Sequence, residues 1–153
     1  GCGTGLAGLM LRDVADFQKG VDISRNMLSK ALEKRVYDQI EVVNLQESLG
    51  EIDRAYSVAV AADVCGYIGR LDGFFAKVSE VLEAGGLFVF SVEECFLDDY
   101  EVSAAGRFAH RRSYVQEVLD DTGFQVASVA REQLRINAGK PVFGMIFVAR
   151  KAA

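Results

Sequence analysis

The sequence has no long apolar run, and its 153 residues include one proline, one histidine and three cysteines. The longest apolar stretches, Tyr56 to Ala62 and Val142 to Ala149, fall far short of the roughly 20 residues a membrane helix needs. No transmembrane or signal segment is expected. Cys2, Cys65 and Cys95 are odd in number and lack CxxC spacing, which argues against a disulfide framework and against zinc. A reducing, cytoplasmic setting is the simplest expectation. Positive charge is also scarce, with 17 Lys and Arg against 22 Asp and Glu and a net charge of -5. That balance lacks the footprint of a nucleic-acid binder. The densest basic cluster, Arg107 to Arg112, reads as solvated charge at a helix start, large enough to contact one phosphate or carboxylate. A single proline, with no repeats or low-complexity tract, argues against a hinge, so residues 1–153 are expected to form one domain.

What is present suits a packed core. Half the residues are hydrophobic and a quarter are charged, and a chain of this size buries roughly 70% of its unfolded surface. Leu6, Leu9, Met10 and Leu11 suit a helix that begins inside the opening glycines. Gly20 to Ser24 reads as a short strand ending in an acid. Ser24 to Lys34 reads as a helix with Ser24 as N-cap and Met27, Leu28, Ala31 and Leu32 inward. Ile40 to Val43 is a strand. The apolar run Tyr56 to Ala62 predicts a strand buried on both faces, as in parallel sheets. Leu71, Phe74, Phe75, Val78, Val81 and Leu82 fall at helical spacing. Gly85 and Gly86 are expected to stop that helix, ahead of a strand at Leu87 to Val92. Ser113 to Thr122 predicts a helix closed by Gly123, followed by strands at Gln125 to Ala130 and Val142 to Arg150. Alternating strands and helices predict an α/β fold: a Rossmann-like, doubly wound, mostly parallel sheet. The last two strands, about a dozen residues apart with no helical pattern between them, suit an antiparallel pair.

In such sheets ligands bind where strands end. Gly1, Gly3 and Gly5 mark a turn of that kind, because alternate glycines let the backbone bend tightly and a ligand approach closely. Asp22, 17 positions beyond Gly5, stands where a carboxylate can accept both hydroxyls of a ribose. Two ligand classes fit. Gly3 to Gly8 satisfies G-x-G-x-x-G with an acid 19 positions past Gly3, close to the dinucleotide spacing. An NAD(P)-binding oxidoreductase fragment is therefore one reading, although little chain remains for its substrate region. S-adenosyl-L-methionine, whose parts fit across half a sheet, is the other.

Here the sequence resembles a known family. Gly1-Cys2-Gly3-Thr4-Gly5 is similar to the signature loop of class I S-adenosylmethionine-dependent methyltransferases. Val21-Asp22-Ile23-Ser24 with Met27-Leu28 resembles that family's second-strand tip and helix. Ala61-Ala62-Asp63-Val64 resembles its fourth-strand tip, and Leu82-Glu83-Ala84-Gly85-Gly86 its L-[KR]-P-G-G turn, with Ala84 in place of proline. Asp63 to Leu71, Ser91 to Glu93, Gly106 to His110 and Gly139 to Val142 resemble, more narrowly, the methyltransferase domains associated with TPR repeats.

The resemblance implies a class I methyltransferase fold with an antiparallel C-terminal strand. It implies S-adenosyl-L-methionine as cofactor, S-adenosyl-L-homocysteine as product, and a small-molecule or protein methyl acceptor. Nucleic acid and membrane are not expected as partners. Cofactor contacts are implied at Gly1, Cys2, Gly3, Thr4 and Gly5, at Asp22 for the ribose and at Ile23 on adenine. Leu45 and Gln46 replace the family's acidic adenine contact, while Ala62 and Asp63 lie beside the methionine part. The family's loop normally follows a strand, so a first strand, a cap and an upstream TPR-like region are expected before Gly1. Tyr67, Glu93 and Tyr100 are candidates for the acceptor pocket, against ordinary edge packing. His110, the sole histidine, has an unperturbed pKa suited to a general base, against a role capping the next helix or lying at the surface. Asp63 is the second catalytic candidate, against capping the turn that follows it. A methyltransferase-like domain that binds without catalysing is a further alternative.

Overall fold

The computed structural model describes residues 1–103 and 105–153. The chain divides into two compact units, residues 1–53 and 54–153.

In the first unit, α1 (Leu6–Leu11), β1 (Lys19–Asp22), α2 (Arg25–Lys34) and β2 (Gln39–Val42) follow one another. Strands β1 and β2 pair in parallel from Lys19 opposite Gln39 to Asp22 opposite Val42, with α2 as the crossover. Helix α2 starts where the sequence predicts, because the Ser24 hydroxyl accepts the Met27 N–H at 3.3 Å. Its buried stripe is narrower than expected. Leu28 and Ala31 are inside, whereas Met27 and Leu32 are 44% and 59% exposed, since a ten-residue helix across two strands covers only one line of side chains. The loop before β1 is tied down by buried Gln18, whose amide donates to the carbonyls of Gly8 and Val36 at 3.1 and 3.0 Å.

The second unit holds β3 (Tyr56–Ala61), a 3₁₀ turn (Cys65–Tyr67), α3 (Asp72–Val81), β4 (Leu82–Glu94), β5 (Tyr100–Val102), β6 (Phe108–His110), α4 (Arg112–Asp121), β7 (Phe124–Asn137) and β8 (Lys140–Lys151). Strand β4 organises the sheet. It runs parallel to β3 and β6 and antiparallel to β8, with β7 outside β8 and β5 outside β6. Alternation along β4 buries Phe88, Phe90 and Val92, and the aromatic spacing predicted for α3 delivers Phe74 and Phe75 onto them. Phe75 meets Phe88 edge-on at 5.1 Å, and Phe90 stacks on Phe147 of β8 at 5.2 Å. Each such ring contributes about 1.5–3 kcal/mol by leaving water. Val115, Val118 and Leu119 of α4 complete the core.

Three expectations are corrected here. Strand β3 is not buried on both faces: Val58 and Val60 are 46% and 42% exposed, because they alternate away from the side that carries Ala61. Gly85 and Gly86 do not stop α3, which already ends at Val81. They lie in β4 within a bulge, where the pairing steps from Tyr56 opposite Leu82 to Val58 opposite Leu87. The dozen residues before the last strand are themselves strand. Strands β7 and β8 pair antiparallel as predicted, but along a ribbon that reaches the turn at Ala138 and Gly139. Among the described residues no helix is long and apolar enough to cross a membrane.

Candidate functional site

In the first unit the glycine turn and the tip of β1 are tied directly together. The N–H groups of Gly1 and Cys2 donate to the Val21 carbonyl at 2.6 and 2.9 Å, and Gly5 N–H closes the turn on the Cys2 carbonyl at 3.0 Å. Gly3 and Gly5 have φ of 54° and 86°, the left-handed region that glycine enters without strain. A Cβ on Gly3 would meet nothing within 4 Å, so the turn presents open backbone. Both carboxylate oxygens of Asp22 are used. Oδ2 accepts Gly3 N–H at 2.8 Å and Oδ1 accepts Ser24 N–H at 2.9 Å. Each oxygen keeps a second lone pair for a hydroxyl donor.

The remaining cofactor candidates of this unit lie beside that end of the strand pair. Ile23 is 67% exposed, an apolar surface directly after the acid. Val43 N–H donates to the Asp22 carbonyl at 3.0 Å, which sets the end of β2 next to Asp22. Leu45 and Gln46 follow in a turn organised by Asn44, whose Oδ1 accepts Gln46 N–H at 3.2 Å. That backbone donor of Gln46 is thus already engaged. The Lys34 ammonium donates to the Thr4 carbonyl at 2.6 Å.

In the second unit the candidates gather at the C-terminal ends of β3 and β4. Ala62 is exposed. Asp63 has φ of 59°, a left-handed conformation that Asp tolerates better than most side chains, and its N–H donates to Ser91 Oγ at 2.9 Å. It does not cap the next turn, whose N-cap is Val64 with no side-chain bond. Its carboxylate instead accepts from Arg107 Nη2 and lies 3.4 Å from Arg135 Nη1. Glu93, nearly buried, takes Arg107 Nε and Arg135 Nη2 on one oxygen, Oε1, each at 2.7 Å. Burial opposes charge on Arg107, but hydrogen bonding to Glu93 and the charge of Asp63 outweigh it and raise its pKa. The same guanidinium sits 4.5 Å from the centre of the Tyr67 ring.

Arg107 is therefore not the solvated charge expected of its cluster. Its side chain is only 13% exposed, because two acids draw it inward, whereas neighbouring Arg111 pairs with exposed Asp99 at 2.6 Å. Sequence reading missed Arg135 altogether; nothing near it in the chain signals that β7 aims it at residues 42 and 72 positions away.

Of the acceptor-pocket candidates, Tyr67 and Glu93 meet through Arg107, while Tyr100 stands apart. Its ring packs on Phe108 at 5.9 Å and on Tyr114 at 6.0 Å, the edge packing weighed against a pocket role. An open cavity of about 380 Å³ lies beyond the end of β4, lined by Glu93, Cys95, Phe96, Leu97 and Glu101 among others. Neither Tyr67 nor Tyr100 lines it.

His110 neither caps the next helix nor lies at the surface. The ring is fully buried at the end of β6, and α4 begins on Arg111 without a side-chain cap. Nε2 lies 2.9 and 3.0 Å from the carbonyls of Ile68 and Gly69, so this nitrogen carries the proton and donates. Nδ1 has no partner. Burial lowers the pKa, partly offset by those carbonyls. The imidazole is a neutral internal strut. Burial likewise pushes the Cys65 and Cys95 thiols up to about 12 and 11, so neither is a nucleophile at neutral pH.

Comparison with known proteins places the chain in a family. A family model described as a methyltransferase domain matches residues 1–88. The chain is 28% identical over 106 residues to a protein of Geobacillus sp. (strain WCH70) named as a methyltransferase, covering 65% of this chain and 43% of the relative. It is 29% identical over 103 residues to the 18S rRNA (guanine-N(7))-methyltransferase of Bos taurus, covering 60% of this chain and 37% of that protein. The matched region is thus about two fifths of either relative's length. The fold is similar to the crystal structure of an S-adenosylmethionine-dependent methyltransferase from Methanosarcina mazei, with a TM-score of 0.81 and 17% identity over 99% of this chain and 90% of that one. With more than half its residues matched by the family model and its sheet built on the same plan, the chain belongs to the methyltransferase-domain family.

Proposed function

We propose that the chain binds S-adenosyl-L-methionine and takes part in transferring its methyl group to a small-molecule or protein acceptor. The observation that carries this reading is the joint made by Asp22 and the glycine turn, an acid braced by Gly3 and Ser24 with lone pairs left for a ribose and open backbone beside it. The family supports the same reading. The residues present fit the cofactor: Gly1 to Gly5 would line its path, Asp22 would accept the ribose hydroxyls, Ile23 would pack on adenine, and the turn at Leu45 and Gln46 would border it, with the Gln46 N–H already held by Asn44. When bound, the cofactor supplies an activated sulfonium methyl group, and transfer is an in-line displacement.

The protein's task is chiefly alignment, which can contribute several kcal/mol. Glu93, held by both arginines, and Asp63, paired chiefly with Arg107, would help orient an acceptor rather than take a proton, because each carboxylate is already an ion-pair partner. His110, buried on the carbonyls of Ile68 and Gly69, is given a structural role in this reading. Three unpaired cysteines accord with a reducing, cytoplasmic setting.

Isothermal titration with S-adenosyl-L-homocysteine and with NADH tests the assignment. Binding of the homocysteine product with no response to NADH is expected. Preference for NADH would overturn the reading in favour of a nicotinamide site.

A further inference from the structure

We propose that Arg107 and Arg135 read an anionic group, a carboxylate or a phosphate, on the methyl acceptor, and that Asp63 occupies their fork until that group arrives. The ligand's identity as acceptor rests on the methyltransferase reading; the anion site itself stands on the geometry of the second unit.

The two acids that hold the arginines differ sharply. Glu93 is 9% exposed in its side chain and receives both guanidiniums at 2.7 Å on one oxygen. It is a fixed anchor, since withdrawing it would strand buried positive charge. Asp63 is 57% exposed and lies 3.4 Å from Arg135, beyond the usual range of an N–H···O bond. It is gripped closely by Arg107 alone and faces water.

Charge counting favours exchange. With Asp63 in place two cations face two anions, and without it the pair carries one uncompensated positive charge. An incoming anion restores the balance, so no extra charge has to be desolvated. Each guanidinium spends two of its five N–H donors on these acids, and its planar fork matches carboxylate and phosphate oxygens.

The fork is also built into the main chain. A Cβ on Gly66 would fall 2.3 Å from Arg107 Nη2, so only glycine lets the guanidinium lie flat there. Tyr67 covers the guanidinium with its ring while remaining 64% exposed itself. An aromatic or other planar body attached to the anion would rest on that ring.

The experiment titrates benzoate, phenyl phosphate and neutral benzyl alcohol into the ¹⁵N-labelled chain, following the arginine Nε–H resonances, with S-adenosyl-L-homocysteine added to a parallel sample. At least one anion is expected to shift Arg107 and Arg135 saturably; whichever does so identifies the group, and benzyl alcohol leaves both unmoved. Asp63→Asn should tighten the anion several-fold, because it removes the internal competitor and keeps a side chain that tolerates this backbone. Arg135→Lys, which keeps the charge and loses the fork, should weaken it about tenfold. Equal shifts with benzyl alcohol, no shift with either anion, or weaker binding in Asp63→Asn would overturn the proposal, since a merely structural ion pair predicts no gain from that substitution. Product binding without anion binding sinks this inference alone, whereas anion binding without product binding sinks the methyltransferase reading and keeps the anion site.

Discussion

The backbone N–H of Gly3 donates to Asp22 Oδ2 at 2.8 Å across 19 positions of sequence. One carboxylate therefore shapes the glycine turn and also offers a ligand its remaining lone pairs. Under the proposed ribose role, binding and local stability are coupled at this residue, and two substitutions separate them.

Asp22→Ala removes the ribose acceptor and orphans the N–H groups of Gly3 and Ser24. S-adenosyl-L-methionine binding should weaken at least tenfold, about 1.4 kcal/mol, and the ligand-free chain should lose about 1–3 kcal/mol for the unsatisfied donors. Asp22→Asn keeps one acceptor oxygen and should fall between Ala and the parent in both. Calorimetric titration reads the first effect and denaturant unfolding the second. An unchanged dissociation constant in Asp22→Ala would refute the ribose assignment.

Glu93 and Asp63 should contribute unequally to stability although both pair with the same arginines. Glu93→Gln leaves Arg107 and Arg135 half-buried against a neutral group and should cost about 3–5 kcal/mol. Asp63→Asn, at the exposed side, should cost less than about 1 kcal/mol. Equal losses on urea unfolding would contradict the buried-anchor and exposed-partner distinction.

His110 gives a pH signature with a definite sign. Burial holds its folded pKa below 6.5, so the unfolded chain takes up the proton first. The stability this residue contributes is complete above pH 6.5 and declines as pH falls from there toward the folded pKa. Thermal unfolding of the parent should weaken over that interval, and His110→Gln should flatten the slope there. Under the methyl-transfer reading the pH profile of turnover should keep its shape in the same variant; disappearance of a limb would restore His110 as the base.

Gly144→Ala tests the seat of the ion cluster. An added Cβ would lie 2.1 Å from the Val92 carbonyl oxygen and 3.0 Å from Glu93 Cα, and main chain cannot step aside as a side-chain tip can. The loss should reach the upper part of the roughly 1–3 kcal/mol range for overpacking. Chemical denaturation measures it, and a neutral effect would mean that β4 and β8 are less closely apposed than described.

Local patterns were legible because they act over a few residues. The Ser24 cap, the spacing of Phe74, Phe75 and Val78, and Gly123 at the end of α4 each depend on neighbours within one helical turn. The glycine turn and Asp22 were legible as a pair because their spacing is that of one helix, its loop and the strand that follows. The β7–β8 ribbon was legible only in direction, since its outer half has little buried face and so lacks apolar alternation.

The sequence by itself therefore determined the order of the helices and longer strands, the antiparallel ending and the place where a nucleoside is expected, but not the short strands Tyr100–Val102 and Phe108–His110. Only the tertiary structure decided that His110 is an internal strut, that Gly85 and Gly86 form a bulge, and that Arg107 and Arg135 close on Glu93 and Asp63. Those contacts join residues 14 to 72 positions apart. Charges that far apart in the chain carry no mutual signal until the sheet register brings them within Coulombic reach in a site dry enough for the attraction to count.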